Sequence, residues 1–247
     1  MTNPGGDKSD KLGQELHKLG AEAERLEQRV PAWLRPTGPE NRLPVVVAIL
    51  VAVALQLTIP DRYTLGPRWL IPALEVALLA VLVAINPIRL SRSTAFGRYT
   101  SLALVIAITV DNGCSAAFLD QAILTARASG DALGLLGAGA AIYLTNIIAF
   151  GIWYWELDRG GPFARADATT PYPDFLFPQM SDPDRAPAHW EPRFFDYLYV
   201  SFTNVVAFSP TDTMPLSRWA KALMAAQSTI ALSTISLVIA RAVNVLR

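Results

Sequence analysis

Apolar positions in this chain run together in long stretches, and charged positions collect between them. From Leu43 to Pro60 there is no ionisable residue, and from Trp69 to Pro87 there is one, Glu75. Further runs cover about Tyr99–Leu119, Leu133–Trp155 and Trp219–Leu246. About 18 or more apolar residues in helical form cross a hydrocarbon core roughly 30 Å thick. Five such runs leave too little polar chain to cover them in water. The pattern predicts an all-α fold, a polytopic membrane helix bundle of five long spans plus one short or re-entrant helix.

The short element is Phe194–Phe208, an apolar run interrupted by Asp196, Thr203 and Asn204. As a helix it covers about 22 Å, which is short for a span. A polar turn follows, and then the last long helix begins near Leu216. The organisation is therefore an amphipathic helix and linker over 1–42 and a four-span bundle over 43–156. A Pro-rich connector over 157–193 and a pore-like hairpin over 194–247 complete it.

Before the first span the pattern changes. Leu12, Leu16, Leu19, Ala23, Leu26, Val30 and Trp33 recur at steps of four and three, which is a heptad seam on a helix. Gly13 and Gly20 weaken it and Pro31 ends it. Such a helix either pairs with a second copy in a homo-oligomer or lies on the bilayer surface. The connector carries prolines at 162, 171, 173, 178, 183, 187 and 192 and reads as extended chain and turns on the surface. His189, Asp174, Asp182 and Asp184 within it match no metal-ligand spacing and read as solvated side chains.

Composition adds to this picture. The chain is 52% hydrophobic and 17% charged, where a soluble domain has about 25% charged residues. The polar start predicts no cleavable signal peptide. A net charge of zero offers no footprint for nucleic acid. The single cysteine, Cys114, excludes an intrachain disulfide. Loop charge sets orientation. The first 42 residues, Arg89, Arg92 and Arg98, and Arg159, Arg165, Arg185 and Arg193 share one side if the first four runs are single spans. Only Arg62, Arg68 and Arg127 fall on the other, so the N-terminus is expected in the cytoplasm. The same count favours Phe194–Phe208 as a short full span that brings both termini to the cytoplasmic side. Re-entrance is the alternative.

Candidate chemistry lies within the apolar runs. Glu75 is near the middle of the second, Asp111 and Asn112 near the middle of the third, and Asn146 in the fourth. A carboxylate at that depth costs several kcal/mol on insertion scales and faces the bundle interior or a water-filled space. No Lys or Arg lies deep enough to pair with Glu75 or Asp111. They are therefore held protonated, or bind a cation, water or a neighbouring Asn. Interhelical hydrogen bonding is the plainer role for the same residues. Asp111-Asn112-Gly113 also permits a break in the third helix. No His-rich cluster, nucleophile motif, phosphate loop or dinucleotide fingerprint is present, so no catalytic residue, metal or cofactor is expected.

"Ser201-Phe202-Thr203" and "Asp212-Thr213-Met214-Pro215-Leu216-Ser217-Arg218" resemble the pore helix, and the stretch from filter to inner helix, of two-transmembrane potassium channels. The resemblance implies a pore loop, with Thr203, Asn204, Ser209, Thr211 and Asp212 as candidate lining residues and an inorganic cation or proton as cargo. In place of that family's glycine-rich filter stands "Ala207-Phe208-Ser209-Pro210-Thr211", which argues against potassium selectivity. Over its whole length the chain resembles uncharacterised bacterial predicted integral membrane proteins, which implies the plasma (inner) membrane. The expected function is that of an integral membrane protein with a channel-like C-terminal hairpin that conducts ions or protons. The alternative is a non-conducting scaffold or regulator that keeps a pore-like fold.

Overall fold

The computed structural model describes residues 31–85, 94–127, 131–182, 186–187, 189–206 and 212–245. The heptad segment before Pro31, Arg89 and Arg92, Asp184 and Arg185, and Ser209 and Thr211 lie outside the described residues. Helix accounts for 74% and strand for 3%, in agreement with the all-α expectation.

Helix α1 (Leu43–Gln56) opens on Pro44, which suits the first turn because the amide it lacks would have no partner there. Helix α2 (Leu70–Ile85) returns antiparallel to it. Helix α3 (Ala95–Leu124) is capped by Thr94, whose hydroxyl accepts the Gly97 amide at 3.1 Å. Helix α4 (Ala132–Leu157) is capped by Asp131, which accepts the Leu133 amide at 3.1 Å. After the connector come α7 (Phe194–Val205) and α8 (Arg218–Val245). Three helices, α3, α4 and α8, are long and apolar enough to cross a membrane. Helices α1 and α2 are apolar but shorter, so among the described residues three long helices and two shorter ones stand where five long spans are expected. The reason is local. Helix α1 stops at Gln56, and the chain continues as a non-helical stretch with a 3-10 turn at Asp61–Tyr63, where Ile59 and Tyr63 are buried. The turn signal at Asp111–Gly113 does not break α3, since helical hydrogen bonds are the best partners for backbone in an apolar setting.

Helix α4 is the central post, packing against α1, α3, α7 and α8. A β-carbon on Gly139 would lie 2.8 Å from Val238 on α8, and one on Gly151 would lie 3.1 Å from the Leu198 backbone on α7. Leu133, Leu124, Phe195, Leu232 and many other large apolar side chains stay exposed on the outside of the bundle. An outer face of that kind suits hydrocarbon better than water.

The connector does not wrap the surface. Pro162 and Pro178 open short helices α5 (Pro162–Ala166) and α6 (Pro178–Ser181), the one helical position where proline is favourable. Between them strand β1 (Phe175–Leu176) pairs antiparallel with β2 (Met214–Pro215). Phe175, Phe177 and Met180 are buried, and Phe175 packs against Tyr154 and Trp219 at ring separations of 4.9 and 5.8 Å. The connector plugs one end of the bundle, called here the Asp158 end. Trp33, Glu40 and Arg98 meet the connector there, which matches the grouping of these segments on one side by charge.

The β1–β2 pair also decides the path of residues 194–217. Helix α7 starts beside Asp158, with Tyr197 bonded to it, and runs antiparallel to α4 until Tyr143 donates to the Val205 carbonyl at 3.1 Å. By Met214 the chain is back at the Asp158 end, where Leu216 donates to the Asp174 carbonyl at 2.8 Å. Asn204 bonds to Met224, Gln227 and Ser228 of α8, about 9–15 Å along that helix from Arg218. Phe194 at the start of α7 and Met214 ahead of α8 therefore lie at the same end of the bundle. Helix α8 then runs to the far end, opposite Trp33.

In a Cys114→Ala background, Asp212→Cys and Asp167→Cys should react with an impermeant maleimide from one face of sealed vesicles, and Arg127→Cys from the other. Asp212→Cys labelling together with Arg127→Cys would favour the full span.

Candidate functional site

Three groups of buried polar side chains stand out, and they differ in how completely they are bonded. The first lies at the Asp158 end, where the chain must reverse after α4. Arg159 takes a left-handed conformation with φ 53°, followed by Gly160 and Gly161 at φ 84° and 99°. The Arg159 conformation costs about 1–2 kcal/mol. It is held by its amide, which donates to Asp174 at 2.9 Å, and by its guanidinium, which donates to the carbonyls of Thr170 and Trp33. Asp158 accepts the amides of Asp174 and Phe175 and, at 2.6 Å, the hydroxyl of Tyr197. Arg165 is buried, pairs with Glu40 at 3.1 Å and donates to the carbonyls of Trp155 and Asp158. Burial works against the Arg165 charge, but Tyr197, Glu40 and Asp158 around it more than offset that, and its pKa is raised. Asp174 is no solvated loop carboxylate, since it also accepts the Trp219 indole at 2.9 Å. This group fastens the end of the bundle.

The second group joins α7 and α8 to α4. Gln227 donates to the Ser201 carbonyl and hydroxyl at 3.0 and 2.7 Å and accepts from Tyr154 at 2.6 Å and Asn204 at 2.9 Å. Ser201 donates to the Ile147 carbonyl, and Ser228 to the Asn204 carbonyl. Thr203 is buried and bonds back to its own helix at Tyr199 and Val200. Asp212 is exposed. Thus Thr203 and Asn204 are engaged in holding the hairpin together, and Asp212 stands apart from them.

The third group is a layer through α1 to α4. The buried apolar side chains divide into two clusters. The first ends at Val53 on α1, Leu79 on α2, Ile108 on α3 and Ile148 on α4. The second takes up again at Ile59, Ala116 and Ile142. In the gap fall Gln56, Glu75, Asp111, Asn112, Ser115, Thr145 and Asn146, all buried. Gln56 donates to Glu75 at 3.1 Å, and Asp111 is close enough for its charge to act on Glu75. The Trp153 indole donates to Thr109 at 2.8 Å, so antiparallel α3 and α4 bring Asn112 and Asn146 to within about a turn of each other in height. Val51 and Leu55 share a groove with Leu144 and Ile148, which sets Gln56 level with the same part of α4.

This layer is poorly satisfied. Gln56 Oε1, Glu75 Oε2, Asn112 Oδ1, Ser115 Oγ, Thr145 Oγ1 and both side-chain atoms of Asn146 have no hydrogen-bond partner. Buried polar atoms are almost always bonded and each orphan costs about 1–3 kcal/mol, which sets this layer apart from the other two groups. All four residues expected at membrane depth, Glu75, Asp111, Asn112 and Asn146, fall in this layer. The sequence reading missed Gln56, whose signal was plain: it is the one strongly polar side chain in α1.

Comparison with known proteins gave no matching family model, no matching curated protein and no matching solved structure.

Gln227→Leu should strand Ser201, Asn204 and Tyr154 and lower stability by about 2–4 kcal/mol, read as a fall in the detergent melting temperature. Arg165→Met should cost about 3–5 kcal/mol by leaving Glu40 and Asp158 uncompensated. A melting temperature unchanged in either variant would contradict the bonding described.

Proposed function

We propose that this protein is a multi-pass protein of a bacterial plasma membrane that moves protons or small inorganic cations through the polar layer of α1 to α4, with its N-terminus in the cytoplasm. The supporting observation is the row of buried, unbonded polar atoms around Glu75, between two apolar clusters. Ionisable groups at membrane depth mark ion paths and proton relays more often than they serve packing. The short α1 adds support. Non-helical backbone at that depth is tolerated where it is buried in protein, and Ile59, three residues beyond Gln56, is fully buried.

In this reading the pathway differs from the one that the potassium-channel resemblance implies. The re-entrant helix is a companion element, since Thr203 and Asn204 spend their hydrogen bonds on the hairpin itself. Those closed bonds favour a scaffold role for residues 194–247, with conduction elsewhere. Assembly into a homo-oligomer through the heptad segment is compatible with either role.

Reconstituted in liposomes, the protein should carry protons, sodium or potassium above the empty-vesicle rate. Glu75→Gln and Asp111→Asn should each cut that flux at least about tenfold, equivalent to 1.4 kcal/mol. Asp212→Ala should leave it within about twofold. Equal flux from protein-loaded and empty liposomes would refute transport. Loss of flux in Asp212→Ala alone would return the pathway to the hairpin.

A further inference from the structure

The unbonded atoms of the polar layer have a chemical bias. Six of them are oxygens, from Gln56, Glu75, Asn112, Ser115, Thr145 and Asn146, carried by four helices. The amide and carboxylate oxygens of Gln56, Glu75, Asn112 and Asn146 can only accept, whereas the one unbonded nitrogen, on Asn146, can only donate. Water gives as many hydrogen bonds as it takes, so water alone fits poorly into a space with such a surplus of acceptors. A hard cation takes oxygen ligands of this kind, carboxylate, amide and hydroxyl, and commonly about six of them.

The charge of the site limits which cation. One carboxylate oxygen, Glu75 Oε2, is among the six; Glu75 Oε1 is already occupied by Gln56. No Lys or Arg occurs in α2, between Tyr99 and Leu124 or in α4, and α1 has none after Arg42. Asp111 lies in the same layer with its charge acting on Glu75, and two neighbouring carboxyl groups in an apolar setting favour one of them holding a proton. The one negative charge left is neutralised by a single positive charge, whereas a divalent ion would leave excess charge in a medium where charge is costly. No imidazole lies in the layer, and Cys114 on the same stretch of α3 is only partly buried, which disfavours transition metals.

We infer that the layer is a binding site for one dehydrated alkali cation, sodium or potassium, with Glu75 as its charged ligand and the oxygens of Gln56, Asn112, Ser115, Thr145 and Asn146 as neutral ones. The site deepens the transport reading, resting on the same layer, and names its cargo. Gln56 has two roles in it: its amide N–H orients Glu75, and its oxygen faces the ion. Asn146 offers its oxygen from the opposite helix.

The test uses the purified full-length chain in detergent. At equal ionic strength, sodium or potassium chloride should raise the melting temperature by about 3–5 °C over choline chloride, as expected of a ligand well above its Kd. Radioactive sodium or rubidium should be retained by the protein and displaced by the unlabelled ion. Glu75→Gln and Asn146→Ala, checked for monodisperse elution, should lose the salt effect and weaken retention at least about tenfold. Ser115→Ala is the milder variant, with a few-fold loss, should the other two fail to fold. Identical melting in all three salts with no retention overturns the inference, and so does stabilisation by calcium or magnesium but not by either alkali ion. Proton flux without alkali-ion binding would sink this site and leave transport standing. Retention without flux would sink transport and leave the site.

Discussion

Asp158 is the constraint from which the rest of the arrangement follows. A helix that ends at the edge of an apolar bundle leaves carbonyls unbonded and has to reverse direction in little space. Here the reversal is made by three residues in left-handed conformations, and Asp158 stands just before them. Its carboxylate gathers the amides of Asp174 and Phe175 and the hydroxyl of Tyr197. Those three bonds locate β1 and the start of α7. With β1 located, its partner β2 returns to the same end. The placing of Met214 beside the start of α7 is thus a consequence of one buried carboxylate more than of the sequence of α7 itself. Gly161 shows how tight the corner is: a β-carbon there would lie 2.7 Å from the Glu156 carbonyl oxygen.

The two polar systems along α4 show how differently equal polarity can be used. Around Gln227 donors and acceptors match, and nearly every group is spoken for. Such a network rigidifies what it joins, because loosening one member strands several others. Around Glu75 the match fails on the acceptor side. Both systems sit at similar depth and draw on the same residue types. The difference lies in their bonding: one system closes its hydrogen bonds between helices, and the other leaves acceptors open.

Much of this was legible in the order of the residues. The apolar runs gave the helices, and Glu75, Asp111, Asn112 and Asn146 gave the layer, because a polar residue in a long apolar stretch has few reasons to be there. The length of α1 was not legible, since Leu57, Thr58 and Ile59 continue the apolar run and only the structure shows the helix stopping at Gln56. The connector misled through its prolines. Two of them open helices, and the density that excludes long elements says nothing about whether short ones pack inward. Asp174 looked like any loop acid because its partners, Arg159 and Trp219, are brought to it by the fold. The return of Met214 to the end where α7 begins was not legible for the same reason. Loop charge argues about sides, while the answer lay in a two-residue strand pairing that charge cannot register.

The bond between Glu40 and Arg165 spans 125 residues, and that from Arg159 to Trp33 spans 126. A ribosome adding about 5–20 residues per second needs about 6–25 s to cover that distance. Throughout that interval the stretch ahead of the first helix has neither of its cationic partners, although α1 has long been made. The stretch from Trp33 to Glu40 is therefore made well before the partners that fix it. During biogenesis the Asp158 end stays open until the connector arrives to close it.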